Sequence, residues 1–325
     1  MRRREFLAFL SGAATAWPTV TAAQQPTKIL RMGFLYPGAR AFVPGMIAAT
    51  LGALQAGGLR AERVEIIQRI ADDNVALVAP MAAELVALNV DLILALSPAA
   101  IRAARAATAN IPIVAVDLES DPVASGFIAS STRPGGNITG VFLDFPDFSK
   151  KWLEALKEAV PQATNVAVMW DPATGPNQLR AVEAAAATLR FTLTVLEVRL
   201  PTDIEPAFQS AVQKGAGALL MLSSPLIPGR TKLLAGLALK HRLPAIMLFT
   251  DFARDDGLMA YGPNLLAFVR QGGVMAAKVL LGANPAETPI ETPTKFEFVL
   301  NLKTAKLLGL TIPAAVLLRA DEVIE

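Results

Sequence analysis

Short β-rich runs alternate with Ala- and Leu-rich helical stretches along this chain of 325 residues, and the alternation is played through twice. Strands separated by helices of this length make parallel βαβ units, whose crossovers cover both faces of a sheet. In the first round, Ile29 to Tyr36, Val64 to Ile70, Asp91 to Leu96 and Ile111 to Val116 read as strands. Pro44 to Ala56, Val75 to Leu88 and Pro98 to Ala109 read as the helices between them. After a loop-rich passage the pattern restarts, with strands at Asn165 to Trp170, Thr192 to Arg199, Ala218 to Leu222 and Ala245 to Phe249. Ser149 to Val160, Gln178 to Leu189, Asp203 to Lys214 and Gly229 to His241 are the matching helices.

The two rounds echo each other in detail. Leu92-Ile93-Leu94-Ala95-Leu96-Ser97-Pro98 is answered by Ala218-Leu219-Leu220-Met221-Leu222-Ser223-Ser224-Pro225. Each is followed by a helix and then by a strand opened with proline, at Pro112 and Pro244. The expected fold is therefore α/β, with two similar doubly wound parallel-sheet lobes. The tail after Gly257 is too short for a third core, so its pieces should complete the two sheets. The chain then crosses between lobes three times, near residues 138–145, 258–264 and 286–294. Lobe 1 is expected to take 28–140 plus 262–288, and lobe 2 141–261 plus 289–325. Several crossovers permit a hinge while limiting twist.

The first segment reads as an address. Arg2-Arg3-Arg4 precedes an apolar run from Phe6 to Trp17, and Thr21-Ala22-Ala23 offers small residues for cleavage. This is the pattern of a secretory signal covering residues 1–23, cut near Ala23. Arg3-Arg4-Glu5-Phe6-Leu7 is similar to the twin-arginine pattern, which carries folded proteins. Three of the 30 basic and one of the 28 acidic residues lie in this segment, so the remainder is neutral and lacks the basic block that nucleic-acid binding needs. The chain has no cysteine, which excludes disulfides, thiol catalysis and a lipid-modified N-terminal cysteine. A free exported protein needs a closed compartment, and a bacterial periplasm is the expected one.

Seven further segments carry a family resemblance. They are Asp121-Pro122-Val123, Arg133-Pro134-Gly135-Gly136-Asn137-Ile138-Thr139-Gly140, Leu153-Glu154-Ala155-Leu156-Lys157, Lys240-His241-Arg242-Leu243-Pro244, Tyr261-Gly262-Pro263-Asn264, Pro293-Thr294-Lys295-Phe296-Glu297 and Arg319-Ala320-Asp321-Glu322-Val323-Ile324. In this order and over nearly the whole length, the sequence resembles the solute-binding proteins of ABC-type importers. The branch in question includes aromatic amino-acid binders. The resemblance implies a type I periplasmic-binding-protein fold with a multi-crossover hinge. It also implies a small solute enclosed between lobes and a membrane permease as partner. A monomer without cofactor or metal is expected.

The residues offer little to an enzyme. His241 is the one histidine, near a helix C-terminus where a cation meets a favourable dipole. No G-x-x-x-x-G-K-[ST], G-x-G-x-x-G or G-x-S-x-G pattern follows the leader. Asp255-Asp256 reads as a surface turn. No catalytic residue is assigned. A ligand-sensing protein that docks on a receptor would share the fold and differ in partner, and an exported α/β enzyme is the remaining alternative.

In open α/β sheets, ligands bind beyond the carboxyl ends of the strands, near helix N-termini. Ser97 ends a strand there, either as a helix cap or as a ligand contact, and Ser223 and Ser224 hold the matching place in lobe 2. Asp117 and Asp121 follow the strand ending at Val116, where one could pair with a ligand ammonium or open a turn. Tyr36, Phe249 and Tyr261 could stack on a ring, or pack at the cleft edge. Asn177 is an amide contact or a helix cap.

Overall fold

The structure, a computed structural model, describes residues 28–143 and 145–325. The leader expected at 1–23 lies outside the described residues. The first sheet contains β1 (Leu30–Tyr36), β2 (Val64–Ile70), β3 (Leu92–Leu96), β4 (Ile113–Asp117) and β5 (Ile138–Phe142), in the spatial order β2-β1-β3-β4-β5 and parallel throughout. Both faces are covered, and the period-two alternation of a strand sorts the side chains between them. Met32, Phe34 and Tyr36 of β1 join the core under helices α1 (Val43–Ala56) and α9 (Leu265–Leu280), while Leu35 joins the core under α2 (Val78–Ala87) and α3 (Pro98–Ala107). Helix α9 comes so close to the sheet and to α1 that Gly272 and Gly273 are required. A Cβ at the first would lie 2.3 Å from Val116 Cγ2, and at the second 2.7 Å from the Ala53 Cβ.

The second sheet contains β6 (Asn165–Trp170), β7 (Thr192–Glu197), β8 (Ala218–Met221), β9 (Ala245–Met247), β10 (Met259–Gly262), β11 (Glu297–Asn301) and β12 (Glu322–Ile324). Its order is β12-β11-β10-β9-β8-β6-β7. Helices α4 (Phe145–Ala159) and α5 (Asn177–Leu189) pack together on one face; α6 (Ile204–Gln213), α7 (Thr231–Lys240) and α8 (Asp251–Arg254) lie on the other. The short α10 (Leu302–Leu307) and α11 (Ala314–Leu317) complete the lobe. One pair, β10 with β11, is antiparallel. The chain leaves β10 at the hinge, forms α9 in the other lobe, and re-enters the second sheet from that same hinge. It therefore starts β11 opposite the end of β10, with Glu297 facing Gly262.

Strand β5 was not among the runs expected from sequence, where 138–145 reads as a crossover. Thr139 and Gly140 dilute its apolar character, and Gly140 is needed for geometry. At φ +153° it sits against β4 so closely that a Cβ would lie 2.2 Å from the Ala115 carbonyl oxygen. The third passage between lobes also begins later than the sequence suggests. Ile290 N–H still donates to Ser131 O (3.0 Å) and Glu291 N–H to Gly140 O (2.9 Å), both in the first lobe. Only then does the chain cross, through 292–296, into β11. Among the described residues, no helix is long and apolar enough to cross a membrane.

Candidate functional site

The carboxyl ends of β1, β3 and β4 meet those of β6, β8 and β9 across the gap between the lobes. Several bonds span that gap. Ser223 Oγ donates to Glu119 Oε1 at 2.7 Å, and the Tyr36 hydroxyl lies 3.5 Å from Pro225 O. Arg102 Nη2 donates to Ala173 O at 2.5 Å and Asn177 Nδ2 to Ser125 Oγ at 3.2 Å. The guanidinium of Arg230 pairs with the Asp73 carboxylate. The lobes are closed on one another.

Between them lies a central cavity of about 30 Å³, bordered by Tyr36, Ser97, Glu119, Ser224 and Phe249. Its apolar side is formed by Met46, Leu118, Leu265 and Val269. A smaller space of about 10 Å³ adjoins it at Ser97, beside Asp73 and Asp171. Together these hold about two or three waters, so an organic solute requires the lobes to part.

Ser97 is the distinctive residue of this cavity. It connects β3 to α3 at φ +87°, a region sparsely used by any residue but glycine, and its hydroxyl makes no cap bond to the helix. The side chain is buried, with 5% of the residue exposed, and Oγ has no partner. A buried hydroxyl without a bond is costly. The capping role open to Ser97 from sequence is thereby excluded. Its counterparts in the second lobe are fully engaged. Ser224 Oγ donates to Asp171 Oδ2 (2.6 Å) and accepts from Leu226 N–H (3.1 Å). Ser223 is clasped by Gln178, whose amide both accepts from its N–H (2.9 Å) and donates to its carbonyl (2.8 Å).

The other expected residues separate into three places. Asp117 does not reach the cavity. It is fully buried, accepting bonds from the Glu119 and Ser120 N–H groups (2.8 and 3.0 Å) and from the Ser120 hydroxyl, so it braces the loop that presents Glu119. Asp121 starts a turn, its Oδ1 accepting from the N–H groups of Val123 and Ala124 (2.8 and 2.9 Å). With Asn177 it borders a larger, hinge-side cavity of about 440 Å³. Tyr261 lies away from the cleft. Alternation along β10 turns it toward α4, where its ring stacks on Phe148 at 5.4 Å and its carbonyl accepts from Trp152 Nε1 at 2.7 Å.

Glu119, Asp73, Arg230, Asp171 and Gln178 were not singled out in the sequence. The carboxylates in Asp117-Leu118-Glu119-Ser120-Asp121 alternate after a buried strand, and that spacing could have drawn Glu119 into the site. His241 ends α7 and stacks on Phe208 at 6.0 Å, and Asp255 accepts from the Thr231 hydroxyl at 2.6 Å. Neither stands beside Ser97. Among the described residues, no group of His, Asp and Glu is arranged to hold a metal.

Burial, and next the nearby Asp117 carboxylate, hold Glu119 well above the ordinary carboxylate range. Burial raises Asp117 and Asp171 as well, and burial together with Glu119 and Asp73 keeps the Tyr36 phenol protonated. A carboxyl group raised on folding stabilises the native state fully below its unfolded pKa, about 4.3 for glutamate. That stabilisation is lost as pH rises toward the raised value. The melting temperature of the wild type relative to Glu119→Gln should therefore be highest in acid and fall as pH rises above about 4. A flat difference would mean that Glu119 titrates as if exposed.

A family model described as ABC transporter substrate binding protein matches residues 37–324. A tyrosine-binding protein of Clostridioides difficile (strain R20291) is 25% identical over 232 residues, which are 71% of this chain and 66% of that protein, just under two thirds of its length. A conserved domain protein from Vibrio cholerae superposes with a TM-score of 0.83 at 22% identity, over 91% of this chain and 100% of that one. The ABC domain from Streptococcus pneumonia solved in complex with L-Trp gives 0.82 at 22% identity, over 91% and 99%.

Proposed function

Because the chain belongs to the family of ABC transporter substrate binding proteins, we propose that it captures a small solute between its lobes and presents it to the permease of an importer. The observation that carries this reading is the buried, unpartnered Ser97 hydroxyl facing a cavity enclosed by both lobes. Export through the Arg2–Arg4 segment would place the mature protein, beginning near Gln24, in a periplasm.

The class of solute follows from the two sides of the cavity. Ser97, Tyr36 and Glu119 offer hydroxyls and a carboxyl group, whereas Met46, Leu118, Phe249 and Val269 offer an apolar wall. An amino acid with an apolar or aromatic side chain matches both. Its carboxylate would take the Ser97 hydroxyl, and its ammonium would lower the raised Glu119 carboxyl, which releases its proton to solvent and pairs with the cation as a carboxylate. The tyrosine-binding relative and the neighbour solved with L-Trp support this class.

A thermal melt against amino acids, aromatic acids, sugars and small amides tests the proposal. A solute that binds only the folded form at a hundred times its Kd adds about 2.7 kcal/mol to stability. At least one apolar or aromatic amino acid should raise the melting temperature by several degrees. A response confined to sugars would overturn the solute class. A library without any stabilising member would overturn the binding role.

A further inference from the structure

The hinge-side cavity is large enough for a solute in the closed form, which the central one is not. Its volume of about 440 Å³ lies within the range of small-molecule pockets. Its walls come from three parts of the fold. The first lobe contributes Asp121 and Ser131, helix α5 of the second contributes Asn177 and Arg180, and the interlobe passages contribute Leu143 and Thr292. From this arrangement we infer a second binding site, distinct from the central cavity, for a small zwitterion of the free α-amino-acid class.

Charge placement fixes the class. Asp121 and Arg180 stand on walls contributed by opposite lobes, and neither takes part in an ion pair among the described residues. The turn that Asp121 opens uses only its Oδ1, with Val123 and Ala124. Its other oxygen is available to an ammonium group. Arg180 presents the planar fork that matches a carboxylate, Asn177 on the same helix adds an amide, and Ser131 adds a hydroxyl on the opposite wall. Phe142, Leu143 and Ile290 form an apolar floor for a side chain. A molecule with one charge would satisfy one wall and leave the other unpaired.

The site is also coupled to the lobes. Its opposite walls move apart when the lobes part, and the Asn177–Ser125 bond spans the same gap. A zwitterion held by both walls favours the closed form, and linkage then requires it to alter affinity in the central cleft.

The probe is L-phenylalanine, titrated by calorimetry into the wild type, Arg180→Ala, Asp121→Asn and Ser97→Ala. Asparagine retains the turn because its amide oxygen accepts the same two N–H groups. A binding component should be weakened about tenfold or more by either Arg180→Ala or Asp121→Asn, and much less by Ser97→Ala, which reaches it only through linkage. Phenylpropionate and phenethylamine, with one charge each, should show the same loss on the wild type. Absence of any component sensitive to Arg180 and Asp121 would overturn the inference. A component sensitive to Ser97 alone would place phenylalanine in the central cavity, sinking the second site and sparing the proposed function. Failure of the proposed function would instead leave every tested solute indifferent to Ser97.

Discussion

Arg230→Ala should open the lobes. Arg230 and Asp73 meet across the cleft with side chains only 19% and 10% exposed, and Arg230 Nη1 also donates to Leu226 O at 2.9 Å. The other Asp73 oxygen, Oδ1, is buried without a partner. Removing the guanidinium leaves a carboxylate with no cation in the closed form, whereas water covers it in the open one. The penalty thus falls on closure alone. Breaking a buried pair costs about 3–5 kcal/mol, and the residual exposure here brings the expected value to roughly 2–3 kcal/mol. That is on the order of a 30- to 150-fold shift toward the open form.

Small-angle scattering of the solute-free variant should give a larger radius of gyration than the wild type. Asp73→Ala added to Arg230→Ala should restore part of the compaction, since no buried charge is then left unpaired. An unchanged profile for the single variant would mean that the pair does not hold the lobes. Local backbone geometry agrees with a built contact. Asp72 and Asp73 are successive left-handed residues, at φ +51° and +68°. The loop is tied down by Asp73 N–H to Pro37 O (2.8 Å) and Arg40 N–H to Asp72 Oδ1 (2.8 Å). Strain of this kind persists where surrounding bonds over-determine it.

The layout of the two sheets was legible because it depends on short-range pattern. Apolar runs of strand length, proline at the strand openings and the repeated Ser-Pro junction all lie within a few residues of the feature they specify. Ser97, Ser224, Tyr36 and Phe249 were found by one rule, that ligands sit at the carboxyl ends of strands, and the structure brings these four to one cavity. The same rule put Asp117 nearby without showing that its oxygens turn back to the Glu119 and Ser120 N–H groups. Tyr261 was misplaced because its direction follows from the β10–β11 register, which pairs residues 37 apart in Tyr261 and Phe298. The Arg230–Asp73 contact joins residues separated by 157 positions, and no local signal links them. Strand β5 was hidden by Gly140, a strand breaker in composition that its crowded position requires.

In the proposed function a solute lies between the lobes against Ser97. The most direct test is calorimetric titration of a solute found by thermal melt into the wild type and Ser97→Ala, with a melt of each protein alone. Removing one buried hydrogen bond to the solute should weaken binding by about 1–3 kcal/mol, or roughly one to two decades in Kd. Stability of the free protein should not fall and should rise if anything, because a buried hydroxyl without a partner is removed. Ser97 makes no cap bond, and alanine meets the same backbone strain at φ +87°. A Kd raised tenfold or more with a melting temperature equal to or above that of the wild type is the result expected. An unchanged Kd would remove Ser97 from the site and contradict a solute held between the lobes at this residue.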